Sequence, residues 1–235
     1  MKPQHLNHED AVALDRICKI IPGYSGHIQQ GFFKMLLADP KINNILMLGV
    51  YHGRDLAIIM DLARRWRPHV PTYVWGVDKF SNDSCADWPE DKKLMSWTQA
   101  GFGNPPAGVA QVKKNLAQAV GPLPDGHGFT AIESDDGEFL SLHTRSASAV
   151  KFDAVYLDTD HLEKTIYRQV LQSEKVMRQG GIICGDDYSN DGTWGVKRAV
   201  DTYFDYWLQV LAIHGSHFIA MRESLSVGWA ARPRD

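Results

Sequence analysis

The sequence has little cysteine, no long apolar run and no excess of positive charge. Its three cysteines, Cys18, Cys85 and Cys184, are an odd number at wide spacings without a C-x-x-C pair, which argues against a disulfide framework or a cysteine zinc site. No apolar run approaches the roughly 20 residues of a membrane helix, and the opening MKPQHLNHED lacks the apolar core of a secretory signal. These absences predict a cytoplasmic protein with no membrane partner.

The composition indicates a globular enzyme-sized domain. A formal net charge of −3 argues against nucleic acid as the main partner, because nucleic-acid-binding domains usually carry a basic patch. Hydrophobic residues make up 44% of the 235 residues, which is enough for a large core. The length suits one α/β domain, predicted over residues 41–235, with residues left for a cap and a lid.

The stretch from Phe152 to Ser189 carries the strongest signal. Short apolar runs at 154–157 and 182–184 are typical of strands in a parallel sheet that is covered on both faces. The segment from about 162 to 178 has the length and helix formers of a crossover helix, and Gly180-Gly181 breaks it. We therefore expect two neighbouring parallel strands.

Acidic residues follow both of these strands. Asp158 and Asp160 come after the first strand, and Asp186 and Asp187 come after the second. Parallel strands joined by a crossover end at the same edge of a sheet, so the four carboxylates should meet there. Such a cluster is repulsive unless a cation binds within it, and hard oxygen ligands favour Mg²⁺, with Mn²⁺ or Ca²⁺ as alternatives. Capping of the next helix is the competing interpretation for Asp186-Asp187.

A glycine turn follows the first predicted strand, Asn44–Leu48. Gly49 and Gly53 bracket the turn G-V-Y-H-G, which opens a helix and lets a ligand approach the backbone closely. Arg54 stands where a dinucleotide-binding turn has its third glycine, so a pyrophosphate site is disfavoured. The second strand ends at Asp78, which is placed to accept hydrogen bonds from a ribose diol. The competing interpretation is that Asp78 caps a helix or is a solvated loop residue.

The remaining segments complete a doubly wound pattern. Residues 1–40 are predicted to contain two helices, near 11–21 and 28–38. These helices would either cap the sheet or form a subunit contact, and with a subunit contact the protein would be a homo-oligomer. Residues 81–106 lack periodicity and predict a lid loop. Helices near 55–66, 109–120 and 195–206, a strand at 129–132 and a closing hairpin at 207–221 give a Rossmann-like, mostly parallel sheet of seven strands whose last strand is antiparallel.

Four segments resemble a known family. They are LGVYHGR (48–54), VDKF (77–80), LDTDHLEKT (157–165) and GDDYSNDGTWGVKRAVDTYF (185–204). Together they resemble the class I S-adenosylmethionine-dependent methyltransferases, and among these the macrocin O-methyltransferase family of metal-dependent sugar O-methyltransferases. One departure is that Met47 occupies the place where the superfamily usually has an acidic residue.

The resemblance implies roles for particular residues. Asp158, Asp186 and Asp187 would bind Mg²⁺, and Asp160 would be the general base. Gly49, Tyr51 and Gly53 would line the methionine end of S-adenosylmethionine, and Asp78 would bind its ribose. Further cofactor contacts are predicted from the place of Lys79, Ser134, Asp135 and Asp158 after strands two, three and four, at the same sheet edge. For Ser134 and Asp135 the alternative is an ordinary acidic loop. For His161 the alternatives are a base, a metal ligand, or a residue at the start of the helix that contacts the metal ligands without touching the ion.

The resulting hypothesis is methyl transfer to a hydroxyl group. A bound cation would lower the pKa of a sugar or phenolic hydroxyl, and a neighbouring base would take its proton. The expected acceptor is a small molecule or glycosylated natural product, with a vicinal diol or catechol-like group that can chelate the ion. The alternatives are a metal-dependent hydroxylase, as in cephalosporin hydroxylase-like relatives, and a non-catalytic nucleoside-binding protein.

Overall fold

A computed structural model describes residues 6–81, 107–146, 149–189, 195–204, 208–214 and 217–222. The predicted lid at 81–106 lies outside these residues except for Ser81. The elements in chain order are α1 His8–Ile20, α2 His27–Leu37, β1 Asn44–Leu48, α3 Arg54–Trp66, β2 Thr72–Asp78, α4 Val109–Val120, β3 His127–Glu133, α5 Asp136–Arg145, β4 Phe152–Leu157, α6 Glu163–Val176, β5 Met177–Gly185, α7 Val196–Phe204, β6 Leu208–His214 and β7 His217–Arg222.

The strands form one mixed sheet in the order β3-β2-β1-β4-β5-β7-β6. Strands β1 to β5 are parallel, and β7 is antiparallel to both β5 and β6. The strand order reverses between β1 and β4, which is where ligands bind in open α/β sheets. The predicted Rossmann-like α/β architecture with a closing hairpin is confirmed.

Strand β1 shows why this sheet is covered on both faces. Ile45 and Met47 belong to one buried cluster, and Leu46 and Leu48 belong to the other. All four side chains have no exposed surface. Helices α1 to α4 pack on the first face and α5 to α7 on the second. A continuous apolar run is the pattern that a strand buried on both faces requires.

Two boundaries differ from the sequence-based expectation. Strand β5 begins at Met177 and contains Gly180, although the two glycines were expected to separate the helix from a strand starting at Ile182. Its pairing with β4 shifts register between Phe152 and Ala154, so the glycines lie in an irregular stretch of strand, and Gly180 has φ +75°. Helix α5 was expected between β3 and β4 but without bounds.

The N-terminal helices α1 and α2 pack against α3. Their bounds agree with the two predicted helices, and Ile21 to Gly26 connects them. Val12 and Ile28 are 53% and 50% exposed, but the predicted subunit contact through these helices stays a prediction. Within the described ranges, no helix is long and apolar enough to cross a membrane.

Candidate functional site

The carboxyl ends of β1, β2, β4 and β5 form one edge with unusual backbone geometry. Four non-glycine residues among those described have a positive φ, and each lies just after one of these strands: Tyr51 (54°), Phe80 (49°), His161 (59°) and Asp187 (56°). Non-glycine residues in this region cost free energy and concentrate at functional sites. The strained loops therefore lie at the same sheet edge as the acidic residues, which supports a functional site there.

The glycine turn lies directly against the loop that follows β4. Gly49 has φ +91°, and a Cβ atom added there would overlap the carbonyl oxygen of Asp158. Gly53 has φ +86° and precedes α3, and a Cβ there would lie 2.9 Å from side-chain atoms of Leu116 and Val112. Only glycine fits both positions, because the turn packs closely against the loop after β4 and against α4 where α3 begins.

Asp78 organises this turn. One carboxylate oxygen accepts hydrogen bonds from the backbone N–H groups of Val50 and Tyr51, both at 2.8 Å, and the other accepts from Phe80 at 2.8 Å. A carboxylate oxygen can accept a further hydrogen bond, so the carboxylate keeps capacity for a ribose hydroxyl. Its predicted role as a ribose ligand stays a prediction.

Lys79, Ser134 and Asp135 lie next to Asp78. The backbone N–H of Ser134 donates to the Asp78 carbonyl at 3.0 Å, and the Lys79 ammonium lies 2.8 Å from Asp135. Asp135 also caps α5 by accepting from Glu138 at 3.1 Å. Burial raises the pKa of Asp135, but the hydrogen bonds from Lys79 and Glu138 outweigh it and hold the pKa below its usual value. The structure thus groups these residues at the predicted cofactor edge.

Strands β4 and β5 bring Asp158 and Asp187 together around His161. Leu157 pairs with Gly185, so the residues after these two strands lie side by side. His161 Nδ1 lies 2.9 Å from Asp187 Oδ2, and His161 Nε2 lies 3.6 Å from Asp158 Oδ1. One potential ligand atom from each residue falls within 4.8 Å of the others. Two carboxylates and an imidazole at this spacing fit a divalent ion.

The carboxylates of this cluster are partly buried, since the Asp158 and Asp187 side chains are each 32% exposed. Burial raises the pKa of Asp158 well above its usual value, and the nearby Asp186 and Asp187 carboxylates raise it further. Burial lowers the pKa of His161, but the hydrogen bond with Asp187 and the charge of Asp158 outweigh it, so the net shift is upward.

The third predicted metal ligand, Asp186, faces a different direction. Its Oδ2 accepts a hydrogen bond from Gln29 of α2 at 3.2 Å and lies 3.6 Å from Nε2 of the buried His217. The group that could hold an ion consists of Asp158, His161 and Asp187, and Asp186 is not among them. Asp186 is still close enough to influence the charge of Asp158.

Asp160, the predicted base, is engaged at the start of α6. Its Oδ1 accepts from the backbone N–H of Leu162 at 3.1 Å, and its Oδ2 accepts from Thr165 Oγ1 at 2.9 Å. Burial raises the pKa of Asp160 above its usual value. These contacts form an Asx turn that holds the segment just before α6. Of the two predicted catalytic residues, His161 lies closer to the carboxylate cluster.

Two buried polar side chains were not found from the sequence. Asp55, in the first turn of α3, is 7% exposed, and its Oδ1 has no hydrogen-bond partner among the described residues. Burial raises the pKa of Asp55 to about 7, with Asp186 adding to the shift. Tyr156 of β4 has no exposed surface, and its hydroxyl also lacks a partner in the described ranges. An acidic residue in a first helical turn and a tyrosine in a strand are too ordinary to signal a site.

Comparison with known proteins identifies the fold. Neither a family model nor a curated protein matches the sequence. The O-methyltransferase NovP has a TM-score of 0.61 and 16% identity, with 91% of this chain and 99% of NovP covered. An O-methyltransferase from Bacillus cereus in complex with SAH has a TM-score of 0.56 and 14% identity, with 90% of this chain and 91% of that chain covered. This chain has the O-methyltransferase fold.

Another similar structure is the calicheamicin methyltransferase CalS11. It has a TM-score of 0.56 and 16% identity, with 94% of this chain and 95% of CalS11 covered. The neighbours are S-adenosylmethionine-dependent O-methyltransferases that include natural-product methyltransferases, so the predicted resemblance is confirmed for the fold.

Proposed function

We propose that this protein is a divalent-metal-dependent O-methyltransferase that transfers the methyl group of S-adenosylmethionine to a hydroxyl of a small molecule or glycosylated natural product. The observation that carries the proposal is the Asp158–His161–Asp187 cluster directly beside the glycine turn. A cation site and a nucleoside-type turn in contact with each other are what metal-assisted methyl transfer needs.

The residues present fit both cofactors. The turn at Gly49 and Gly53 leaves no room for side chains and leads directly into the N-terminus of α3, where the helix dipole favours an anionic group of a ligand. Asp158 and Asp187 supply hard oxygen ligands that suit Mg²⁺, or alternatively Mn²⁺ or Ca²⁺, and Asp186 adds negative charge nearby. A divalent cation bound there would lower the pKa of a substrate hydroxyl and fix its position.

We assign the role of general base to His161 rather than Asp160. An imidazole between two carboxylates can take a proton and have the resulting positive charge stabilised by Asp158 and Asp187. Asp160 already accepts two hydrogen bonds that hold the start of α6, so its oxygens are less able to reach a substrate. Asp160 then acts by positioning the loop that carries His161.

The residues of the glycine turn would supply positioning. Methyl transfer from a sulfonium requires in-line approach at about 3 Å, so much of the rate comes from holding both partners in place. The turn is itself rigid, since Asp78 binds two of its N–H groups and Gly49 contacts the loop after β4. Donor and acceptor would thus be held by the same block of structure.

The acceptor class is supported by the similar structures. CalS11 is described as a TDP-rhamnose 3′-O-methyltransferase in calicheamicin biosynthesis, and NovP as an O-methyltransferase. A vicinal diol of a sugar, or a catechol, has two adjacent oxygens that can bind one cation. We therefore propose such a group as the acceptor, and a screen of nucleotide sugars and catechols would identify it.

One observation favours a second function. The candidate ligand set includes an imidazole, and imidazole ligands are common for redox-active metals. A metal-dependent hydroxylase on this scaffold is therefore the alternative enzyme, in which His161 would be a ligand and not a base.

Calorimetric titration tests these functions. We expect S-adenosylmethionine to bind the wild-type protein in the absence of metal, and Mg²⁺ to bind wild type but not the Asp187→Ala variant. Binding of iron(II) without any binding of S-adenosylmethionine would favour the hydroxylase. If neither S-adenosylmethionine nor any divalent ion bound, the proposal that this protein is an enzyme would be refuted.

A further inference from the structure

Asp55 is a buried carboxylate that the proposed mechanism does not use. It lies in the first turn of α3, two residues after Gly53, and only 7% of its surface is exposed. Its Oδ1 has no hydrogen-bond partner among the described residues, although Ser25 bonds to the carboxylate group. A buried carboxylate with an unused oxygen is costly and calls for a ligand.

The positive charge of the adjacent Arg54 only partly offsets the cost of burying the Asp55 carboxylate. The adjacent Arg54 uses its guanidinium on backbone carbonyls, with Nε donating to Ile21 at 2.8 Å and Nη1 donating to Ser25 at 3.1 Å. Asp186 adds a second negative charge close to Asp55. The unpartnered hydroxyl of Tyr156 lies within electrostatic range of both acids. The site therefore presents oxygen acceptors and net negative charge.

The position of Asp55 relates this site to the glycine turn. Gly53 precedes α3, and Gly49 contacts the loop after β4, so the turn lies between Asp55 and the Asp158 loop. The Asp55 carboxylate is close enough to Asp158 to raise the pKa of Asp158. At residue 47, where the resemblance calls for an acidic side chain, the chain has a fully buried Met in the apolar core.

We propose that Asp55 binds the α-ammonium group of the methionine part of S-adenosylmethionine, a role that the Met47 side chain cannot fill. The inference rests on the proposed function. An ammonium group is a compact cation with three donors, so it can satisfy the free oxygen of Asp55 and a second acceptor such as Tyr156 Oη. A strongly hydrated divalent ion fits less well at Asp55, since the ligands proposed for the divalent ion are Asp158 and Asp187.

The test compares two ligands on two variants by calorimetry without metal. The ligands are S-adenosylhomocysteine and its analogue in which hydrogen replaces the α-amino group. The variants are Asp55→Asn and, as a control for loss of one negative charge, Asp15→Asn at an exposed position of α1. We expect Asp55→Asn to weaken S-adenosylhomocysteine about 10- to 100-fold, as for loss of a charged hydrogen bond. The analogue should bind wild type and Asp55→Asn with affinities within about twofold.

The outcomes separate this inference from the proposed function. If wild type binds neither ligand, the proposed function fails. If wild type binds S-adenosylhomocysteine and Asp55→Asn binds it equally well, the function stands and the role of Asp55 is refuted. Equal weakening of both ligands would also refute it, because the effect would then be structural. The Asp55→Asn substitution should not lower the melting temperature of the ligand-free protein. If the Asp55→Asn variant folds poorly, Asp55→Ser provides a second uncharged variant.

Discussion

Asp10 is the best place to test how the N-terminal helices are held on the sheet domain. Its side chain has no exposed surface and accepts hydrogen bonds from Lys34 at 2.8 Å, Arg65 at 2.8 Å and Trp66 at 2.9 Å. It also accepts from the backbone of Asn7 at 3.1 Å. The carboxylate therefore joins α1 to α2 and α3 at one buried point.

The magnitude of this contribution follows from the burial of the partners. Lys34 is 4% exposed, so its ammonium cannot regain water if Asp10 loses its charge, whereas Arg65 is 17% exposed and keeps its ion pair with Asp61. Removing one partner of a buried ion pair destabilises a protein by about 3–5 kcal/mol. At about 2–4 °C per kcal/mol for a domain of this size, Asp10→Asn should lower the melting temperature by about 6–20 °C.

The pH dependence has a definite sign. Burial alone would raise the pKa of Asp10, but the hydrogen bonds from Lys34, Asn7, Arg65 and Trp66 lower it well below its ordinary value of 3.8. A depressed pKa stabilises the folded state at pH values above the unfolded-state pKa and loses this effect as the pH falls through the folded-state pKa. The stability difference between wild type and Asp10→Asn should be constant from pH 5 to 8 and shrink below about pH 4.

Urea denaturation of four proteins would measure the effect. They are wild type, Asp10→Asn, Lys34→Met and the double variant, with the exposed Asp15→Asn as a control that should change the free energy of unfolding by less than about 0.5 kcal/mol. The double variant should be more stable than the sum of the single effects predicts, because neither charge is left without its partner. A change of under about 0.5 kcal/mol for Asp10→Asn at pH 7 would refute the reasoning.

Three further predictions concern the site. Gly49→Ala should destabilise the protein by more than about 3 kcal/mol in thermal unfolding, because its Cβ would overlap the next loop, whereas Gly180→Ala, which has open space, should cost only about 1–2 kcal/mol of backbone strain. His161→Gln should lower kcat by about 10²–10⁴-fold, and Asp160→Asn by clearly less, with both variants retaining S-adenosylmethionine binding; the reverse order would exchange their roles. Asp187→Ala should lose divalent-ion binding in calorimetry while its affinity for S-adenosylmethionine changes by less than about threefold, and retained ion binding would exclude Asp187 as a ligand.

The sheet edge could be predicted from the sequence because it depends on topology. Buried apolar runs separated by helix-length segments force parallel strands, and parallel strands bring their ends together. The pairing of Leu157 with Gly185 places the residues after β4 and β5 side by side, as that reasoning requires. The glycine turn was also visible, since it needs two glycines that no other residue can replace.

The direction of each side chain at that edge could not be predicted in the same way. Asp186 and Asp187 are adjacent in sequence, yet one faces Gln29 and the other faces His161. Left-handed backbone at His161 and Asp187 accompanies this arrangement, and no sequence pattern announces a positive φ at a non-glycine residue. The sequence therefore predicts three carboxylate ligands for one ion, Asp158, Asp186 and Asp187, whereas the geometry groups only Asp158 and Asp187, with His161 beside them.

The N-terminal helices form part of the site and do more than cover the sheet. Gln29 of α2 hydrogen-bonds Asp186, and Arg54 of α3 holds the connection between α1 and α2 through the carbonyls of Ile21 and Ser25. Ser25 also bonds to the carboxylate of Asp55. Asp55 is 7% exposed and the Asp186 side chain is 14% exposed beside these contacts, so the charge of both acids should depend on how firmly the helices are docked. The buried ion pairs of Asp10 hold that docking, so a change far from the reacting atoms should alter cofactor affinity through this packing.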